Sequence, residues 1–397
     1  MARTYVADVT LFDGRRLRRR QGVLVERERI AWVGPHTRAP REARSARAVD
    51  GAGRTLTPGL VDCHVHLNFD GSPDFAGEAA AMNPALATIK ATANARRHLE
   101  RGVTTVRDLG GIGTCELAEA IDGGIVPGPR LVAAGRALTV TGGHGHNVGF
   151  AREVDGADAV RRAVREEIKA GANAIKVIAT GGVLTPGIGA TFTAFTPAEL
   201  DAAVDEAHKW GRGVAAHAIG REGVGRAVRA GVDSVEHCVQ LTAAVAREMR
   251  ERGTFRGPTL SAALGMTEHP EEVPAYAIEK MLSVIDDAER SLALSLRARV
   301  RHVCSTDAGT PFNPHGGAPL ELARMVAWGM GPLDAMTAGT AHGAELLRLA
   351  DVGIVRADAF ADLVLYDANP VEDIDALSSP RTVWKSGEVV AGRAPRA

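Results

Sequence analysis

Residues 57–352 alternate short apolar runs with longer helical stretches, and no other feature of the chain limits its fold as tightly. The runs are Leu60–His64, Val103–Val106, Arg130–Ala133, Ala174–Ile178, Val214–His217, Ser234–His237, Thr254–Gly257 and Val300–Cys304. Helical windows such as Ala159–Ala170, Pro197–Trp210 and Tyr276–Ala298 lie between them. Short buried strands alternating with helices require a parallel sheet. Eight such units predict an α/β fold, a closed (β/α)8 TIM-like barrel over 57–352. The ends read differently. Tyr5–Leu11, Gly22–Val25, Ile30–Gly34, Ala361–Asp367 and Thr382–Gly387 are strand-like runs ended by turns. They predict a small β-sandwich domain built from both termini, residues 1–56 and 353–397.

Active sites of such barrels sit at the C-terminal ends of the strands. The first run ends in His64-Val65-His66, and the fourth holds Lys176. The fifth and sixth end in His217 and His237, and Asp307 follows the eighth. Residues i and i+2 of a strand share a face, so His64 and His66 can point together into the barrel mouth. Neutral imidazole is a good ligand for zinc and similar metals. A lone His-x-His pair is a weak signal, but further strand ends supplying His, His and Asp to the same rim make it a strong one.

Lys176 is one of only six lysines and sits in an apolar strand. A buried ammonium is costly unless it is paired or its pKa falls. One reading is a lysine whose amine reaches the rim or meets a carboxylate. The other is a neutral amine that takes up carbon dioxide to form a carbamate, an oxygen ligand able to bridge two cations. His144 and His146 lie in the glycine-rich stretch Thr141–His146, a rim loop where they either contact substrate or merely make a turn, and His144 is the stronger catalytic candidate. His36, His98, His208, His269 and His342 fall outside the pattern and read as structural or solvated, and His302 as a core histidine. Cys63, Cys238 and Glu236 adjoin ligand candidates, so strand alternation turns them away from the rim.

Composition excludes several other functions. With 47 basic and 48 acidic residues the formal net charge is -1, so no global field gathers nucleic acid or an anionic membrane. No window of about 18 apolar residues reads as a membrane span. The N-terminus lacks the apolar core of a secretory signal. The four cysteines form no CxxC pair, which argues against a zinc ribbon or redox motif and fits a reducing compartment. A cytoplasmic enzyme acting on a small molecule is expected; a homo-oligomer is compatible with the sequence, which is silent on assembly.

The stretch Thr57-Pro58-Gly59-Leu60-Val61-Asp62-Cys63-His64-Val65-His66 resembles the first-strand motif of the amidohydrolase superfamily, and Ala361–Pro370 its closing segment. Thr141–Gly145, Lys176 with Thr180–Val183, Ser234–His237 and Ser305–Gly309 resemble the branch of Xaa-Pro dipeptidases, arginine/lysine carboxypeptidase-like enzymes and ochratoxinase. The resemblance implies two divalent metals: zinc first, with manganese, cobalt or iron as alternatives. His64, His66 and Asp307 would hold one, His217 and His237 the other, and a carboxylated Lys176 would bridge them. It also implies a metal-bridging hydroxide that attacks an amide bond of the peptide or N-acyl amino acid type, with Asp307 carrying the proton. The alternative is ring opening of a cyclic amide, lactam or lactone of specialised metabolism. The chain departs from the pattern after His237, where Val239-Gln240-Leu241 replaces an aromatic residue that would polarise the substrate carbonyl. Arg136 and Arg221 lie near the rim, where they either bind a carboxylate or belong to the surface.

Overall fold

The computed structural model describes residues 3–392. Five strands open the chain: β1 (Arg3–Phe12), β2 (Leu17–Glu26), β3 (Arg29–Pro35), β4 (Arg47–Asp50) and β5 (Thr55–Pro58). The central region contributes β6 (Leu60–Val65), β7 (Val103–Asp108), β8 (Arg130–Ala133), β9 (Ala137–Thr139), β10 (Ala151–Glu153), β11 (Ala174–Ile178), β12 (Gly213–Ala218), β13 (Ser234–His237) and β14 (Phe255–Gly257). Three more close the chain: β15 (Leu363–Tyr366), β16 (Thr382–Lys385) and β17 (Glu388–Gly392).

The terminal strands form one sheet in the order β17-β16-β15-β5-β1-β2-β3, with β4 on β1. Both ends of the chain therefore meet in it, through the antiparallel pairing of β15 with β5. Its apolar face has a cluster of its own, including Val9, Leu11, Leu56, Leu363 and Trp384.

The central strands pair in parallel, in the orders β6-β7-β8 and β10-β9-β11-β12-β13-β14. Every residue of β6, β7 and β11 is buried, as helices covering a parallel sheet require. The two groups approach each other on both sides. Asn173 N donates to Ala133 O at 2.7 Å on one side. On the other, His302 bridges Arg256, Ala308 bridges Val65, and Cys63 N donates to Cys304 O at 2.8 Å.

Two expectations change. The run Val300–Cys304 is not a regular strand; it pairs only through the isolated bridge at His302, because Arg299 turns at φ 58° just before it. The window Tyr276–Ala298 divides into helices Ala275–Leu282 and Ile285–Arg297. Ser283 Oγ donates to Lys280 O at 2.7 Å at the break, a local bond that competes with helix continuation. No helix among the described residues is long and apolar enough to cross a membrane.

One buried acid fixes the start of the helix Leu260–Glu268, which walls the site. The carboxylate of Glu321, fully buried, accepts from Leu260 N at 2.9 Å and Ser261 N at 2.7 Å. Burial raises its pKa from 4.5 to about 7, against the pull of those bonds. The unfolded chain ionises Glu321 at lower pH than the folded one, so this group makes stability fall as pH rises between the two values. Relative to Glu321→Gln, the wild type should lose on the order of 3 kcal/mol in urea unfolding across that window. A pH-independent difference would refute this.

Candidate metal centre

The ends of β6, β11, β12 and β13 and the turn at Asp307 deliver the predicted groups to one cleft of about 1010 Å³, measured to include its open mouth. His64, His66, His144, Lys176, His217, His237 and Asp307 all line it. The tightest group is His64, His66 and Asp307. Their Nε2 atoms lie 3.3 Å apart, and Asp307 Oδ1 is 3.1 Å from His64 Nε2 and 3.3 Å from His66 Nε2. Lys176 Nζ lies 3.4 Å from His64 Nε2. His237 reaches His64 at 5.6 Å between ring centroids and His217 at 4.5 Å, and His144 stands 4.8 Å from His217.

Each imidazole is oriented by a second bond. His66 Nδ1 donates to Gly110 O at 3.0 Å, and His217 Nε2 donates to Gly181 O at 2.8 Å. His237 Nδ1 pairs with Thr259 Oγ1 at 2.7 Å, and His144 Nδ1 with Thr185 Oγ1 at 2.8 Å. His237 and Asp307 sit in left-handed backbone conformations, φ 66° and 59°. Such strain in non-glycine residues is concentrated at functional sites. Gly182 lets His144 lie flat on the chain, since a Cβ there would come within 2.4 Å of its ring.

Burial holds His64, His217 and His237 neutral, their pKa values well below the usual imidazole range. His144 falls to about 4 for the same reason. Burial also opposes the charge on His66, but its contact with Asp307 outweighs this and raises its pKa. Burial works against ionised Asp307 too, yet His64 and His66 hold it below the usual carboxylate value. Desolvation lowers Lys176 to about 8, so a real fraction of the amine is neutral near physiological pH.

Glu236 is not turned away from the site. Its Oε2 stands 3.2 Å from His64 Nδ1, and neither atom has a hydrogen-bond partner. Strand alternation fails here because His237 and Cys238 both turn into positive φ, so adjacent residues face the same interior. Glu236 Oε1 accepts from Arg107 Nη2 at 2.9 Å and from Ser234 Oγ at 2.6 Å, while Arg107 Nε donates to Cys63 O at 2.7 Å. Gly257 leaves room for the carboxylate, since a Cβ there would meet Oε2 at 2.4 Å.

Other histidines are structural or lie outside the cleft. His302 Nε2 bonds Ser295 Oγ at 2.8 Å, and His98 Nε2 meets His315 Nδ1 at 3.0 Å. His146 is exposed and bonds Gly143 O. Cys63 and Cys238 are core thiols. Arg136 pairs with Glu167 at 3.1 Å, and Arg221 stands beside Gln240; neither lines the cleft. Sequence spacing did not point to Arg107, Thr185, Thr259 or the carbonyls of Gly110 and Gly181. Only the buried charge of Arg107, in the run continuing Val103–Val106, was there to be noticed.

Arg107 and Glu236 are 2% and 0% exposed, so removing one leaves the other as an uncompensated buried charge. Arg107→Ala should cost about 3–5 kcal/mol in denaturant unfolding. Arg107→Met combined with Glu236→Gln should recover most of that loss, and additive losses in the double variant would refute the pairing.

The amidohydrolase family profile matches residues 55–390. The chain is 31% identical to ochratoxinase from Aspergillus niger, over 96% of this chain and 84% of that protein. A solved prolidase complexed with N-methylphosphonate-L-proline superposes with a TM-score of 0.91 at 33% identity, covering 99% of this chain and 100% of that one. A Xaa-Pro dipeptidase with methionine bound in its active site gives 0.90 at 30% identity, covering 98% and 99%. The resemblance read from the first-strand motif therefore holds: the chain belongs to the amidohydrolase family and is a hydrolase acting on amide bonds.

Proposed function

We propose that the chain is a metal-dependent hydrolase that cuts an amide bond of a small molecule at a two-metal centre. The centre would lie on the rim of a closed (β/α)8 barrel spanning 57–352, carried with a β-sandwich of 1–56 and 353–397. The bonds joining the two groups of parallel strands support closure.

The observation that carries the reading is the spacing of the three clustered donors. Ligand atoms about 2.0–2.1 Å from one tetrahedral ion lie about 3.3 Å from each other. His64, His66 and Asp307 place theirs 3.1–3.3 Å apart. Two imidazoles and a carboxylate suit zinc first, then manganese, cobalt or iron. With its Nε2 engaged by Gly181 O, His217 would bind the second ion through Nδ1, and His237 would use Nε2, its Nδ1 being held by Thr259. Lys176 would add its neutral amine to carbon dioxide, lose a proton and offer carbamate oxygens to both ions. Glu236 would fix the ring of His64 from behind, as carboxylates commonly do for metal-bound histidines.

When bound, the metal pair would lower the pKa of a water so that it ionises near neutral pH, and would polarise the scissile carbonyl. Asp307 would accept a proton from the attacking water and deliver it to the leaving nitrogen, which departs poorly without it. His144, held at Nδ1 by Thr185 Oγ1, would serve the carbonyl oxygen through Nε2 in the tautomer that carries its proton there, the task for which Val239 offers no polar group. The likeness to an ochratoxinase and to prolidases supports a linear amide of the peptide or N-acyl type. Ring opening of a lactam or lactone would use the same centre, and the expected setting is the cytoplasm.

Elemental analysis should find two divalent ions per chain. Lys176→Met should lower that ratio, and native mass spectrometry should find one carbon dioxide on Lys176 of the wild type. Asp307→Asn should keep the fold and cost about 10²–10⁴-fold in turnover of an N-acyl amino acid or lactam panel. Full activity in Asp307→Asn, or turnover after chelation, would sink the reading.

A further inference from the structure

The cleft is divided by chemistry. Its floor is the polar cluster described above. Its walls are apolar: Phe75, Phe150, Leu184, Val239, Met266 and Met281 face the same space. Among the described residues lining it, the only lysine or arginine is Lys176 on the floor, and no arginine or tyrosine joins it. The nearby cations are engaged elsewhere. Arg136 is held by Glu167, and Arg221 sits outside, against the helix Ile285–Arg297. Lys280 donates its Nζ to Thr185 O at 2.6 Å and does not line the cleft.

A carboxylate held against these walls, away from the floor, would lose its water and find no lysine or arginine in return. Such a group is far better left in solvent. A neutral apolar group loses nothing comparable and gains by covering the walls. Aromatic and aliphatic side chains, Phe75, Phe150, Leu184 and Met266 among them, offer apolar surface to groups flanking the scissile bond.

From this division we infer that the substrate is a neutral amide carrying apolar, aryl-sized groups, with no carboxylate inside the cleft, in contrast to a dipeptide bound by its C-terminus. The inference rests on the amide-hydrolysis reading and narrows it to one class of substrate.

A matched pair tests it: N-benzoyl-L-phenylalanine and N-(2-phenylethyl)benzamide, which differ only by the carboxylate. Affinity is measured by calorimetry on zinc-loaded Asp307→Asn, and hydrolysis by mass spectrometry on the zinc-loaded wild type. The neutral amide should bind and react about tenfold or more better. Ile285→Arg, at the partly exposed edge of the wall, should narrow or reverse that ratio. Equal or tighter binding of the acid would overturn the inference, including a preference that Lys280→Met abolishes. So would failure of both probes to bind. Preferential binding of the neutral probe without any cleavage would support the pocket assignment and instead remove the amide-hydrolysis reading.

Discussion

Everything at the rim answers to the burial of Lys176. Its amine is 3% exposed and sits on the floor of a cleft whose walls are apolar. Water cannot screen it, so the surrounding groups must. Burial keeps His64, His217 and His237 neutral, and the positive charge of Lys176 adds to that effect. Asp307 supplies one negative charge to the cluster and stays ionised. Glu236, the other nearby carboxylate, is already engaged by Arg107. His64, His217 and His237 thus offer neutral nitrogens and Asp307 an ionised carboxylate, the state in which nitrogen and oxygen atoms accept a cation. The same burial lowers the amine toward neutrality, the form that reacts with carbon dioxide.

The backbone contributes a second constraint. A regular parallel strand presents every other residue to one face, which suffices for His64 and His66. It does not suffice where β13 must place both Glu236 and His237 inside. The chain solves this with consecutive left-handed residues, His237 and Cys238. Asp307 reaches the rim by a similar departure, its N–H donating to His64 O at 2.8 Å and its carbonyl accepting from Asn313 Nδ2 at 2.9 Å. These bonds over-determine conformations that would otherwise relax, and they place a ligand candidate and the candidate proton carrier where regular structure could not.

This departure also marks the limit of what the sequence reveals. The rim histidines and Lys176 were legible because each closes or occupies a short apolar run, and strand periodicity is a local property of the chain. Glu236 was misread by the same rule, since alternation predicts the wrong face once φ changes sign. The eighth run was read as a strand from its residues, yet a turn at Arg299 leaves it a single bridge. Thr185 and Thr259 orient His144 and His237 from 41 and 22 residues away, and no local pattern announces such a contact. Arg107 reaches Glu236 across 129 residues, from one parallel sheet to the other. Ligands are thus written locally, while the groups that orient them depend on closure of the whole fold.

The division between floor and wall has a consequence for specificity. The floor comes from strand ends, where burial and paired charges leave little freedom to change. Much of the wall comes from elements outside the sheet: the loop carrying Val183 and Leu184, the helix Leu260–Glu268 and the pair of helices over 275–297. Apolar residues there can exchange for one another at modest cost, because no buried polar partner is stranded by the change. Introducing a charge is different, since it must find either solvent or an opposite charge. An apolar wall therefore drifts easily among apolar shapes and only rarely acquires a carboxylate clamp. A family can in this way keep one hydrolytic centre while the groups flanking the scissile bond change.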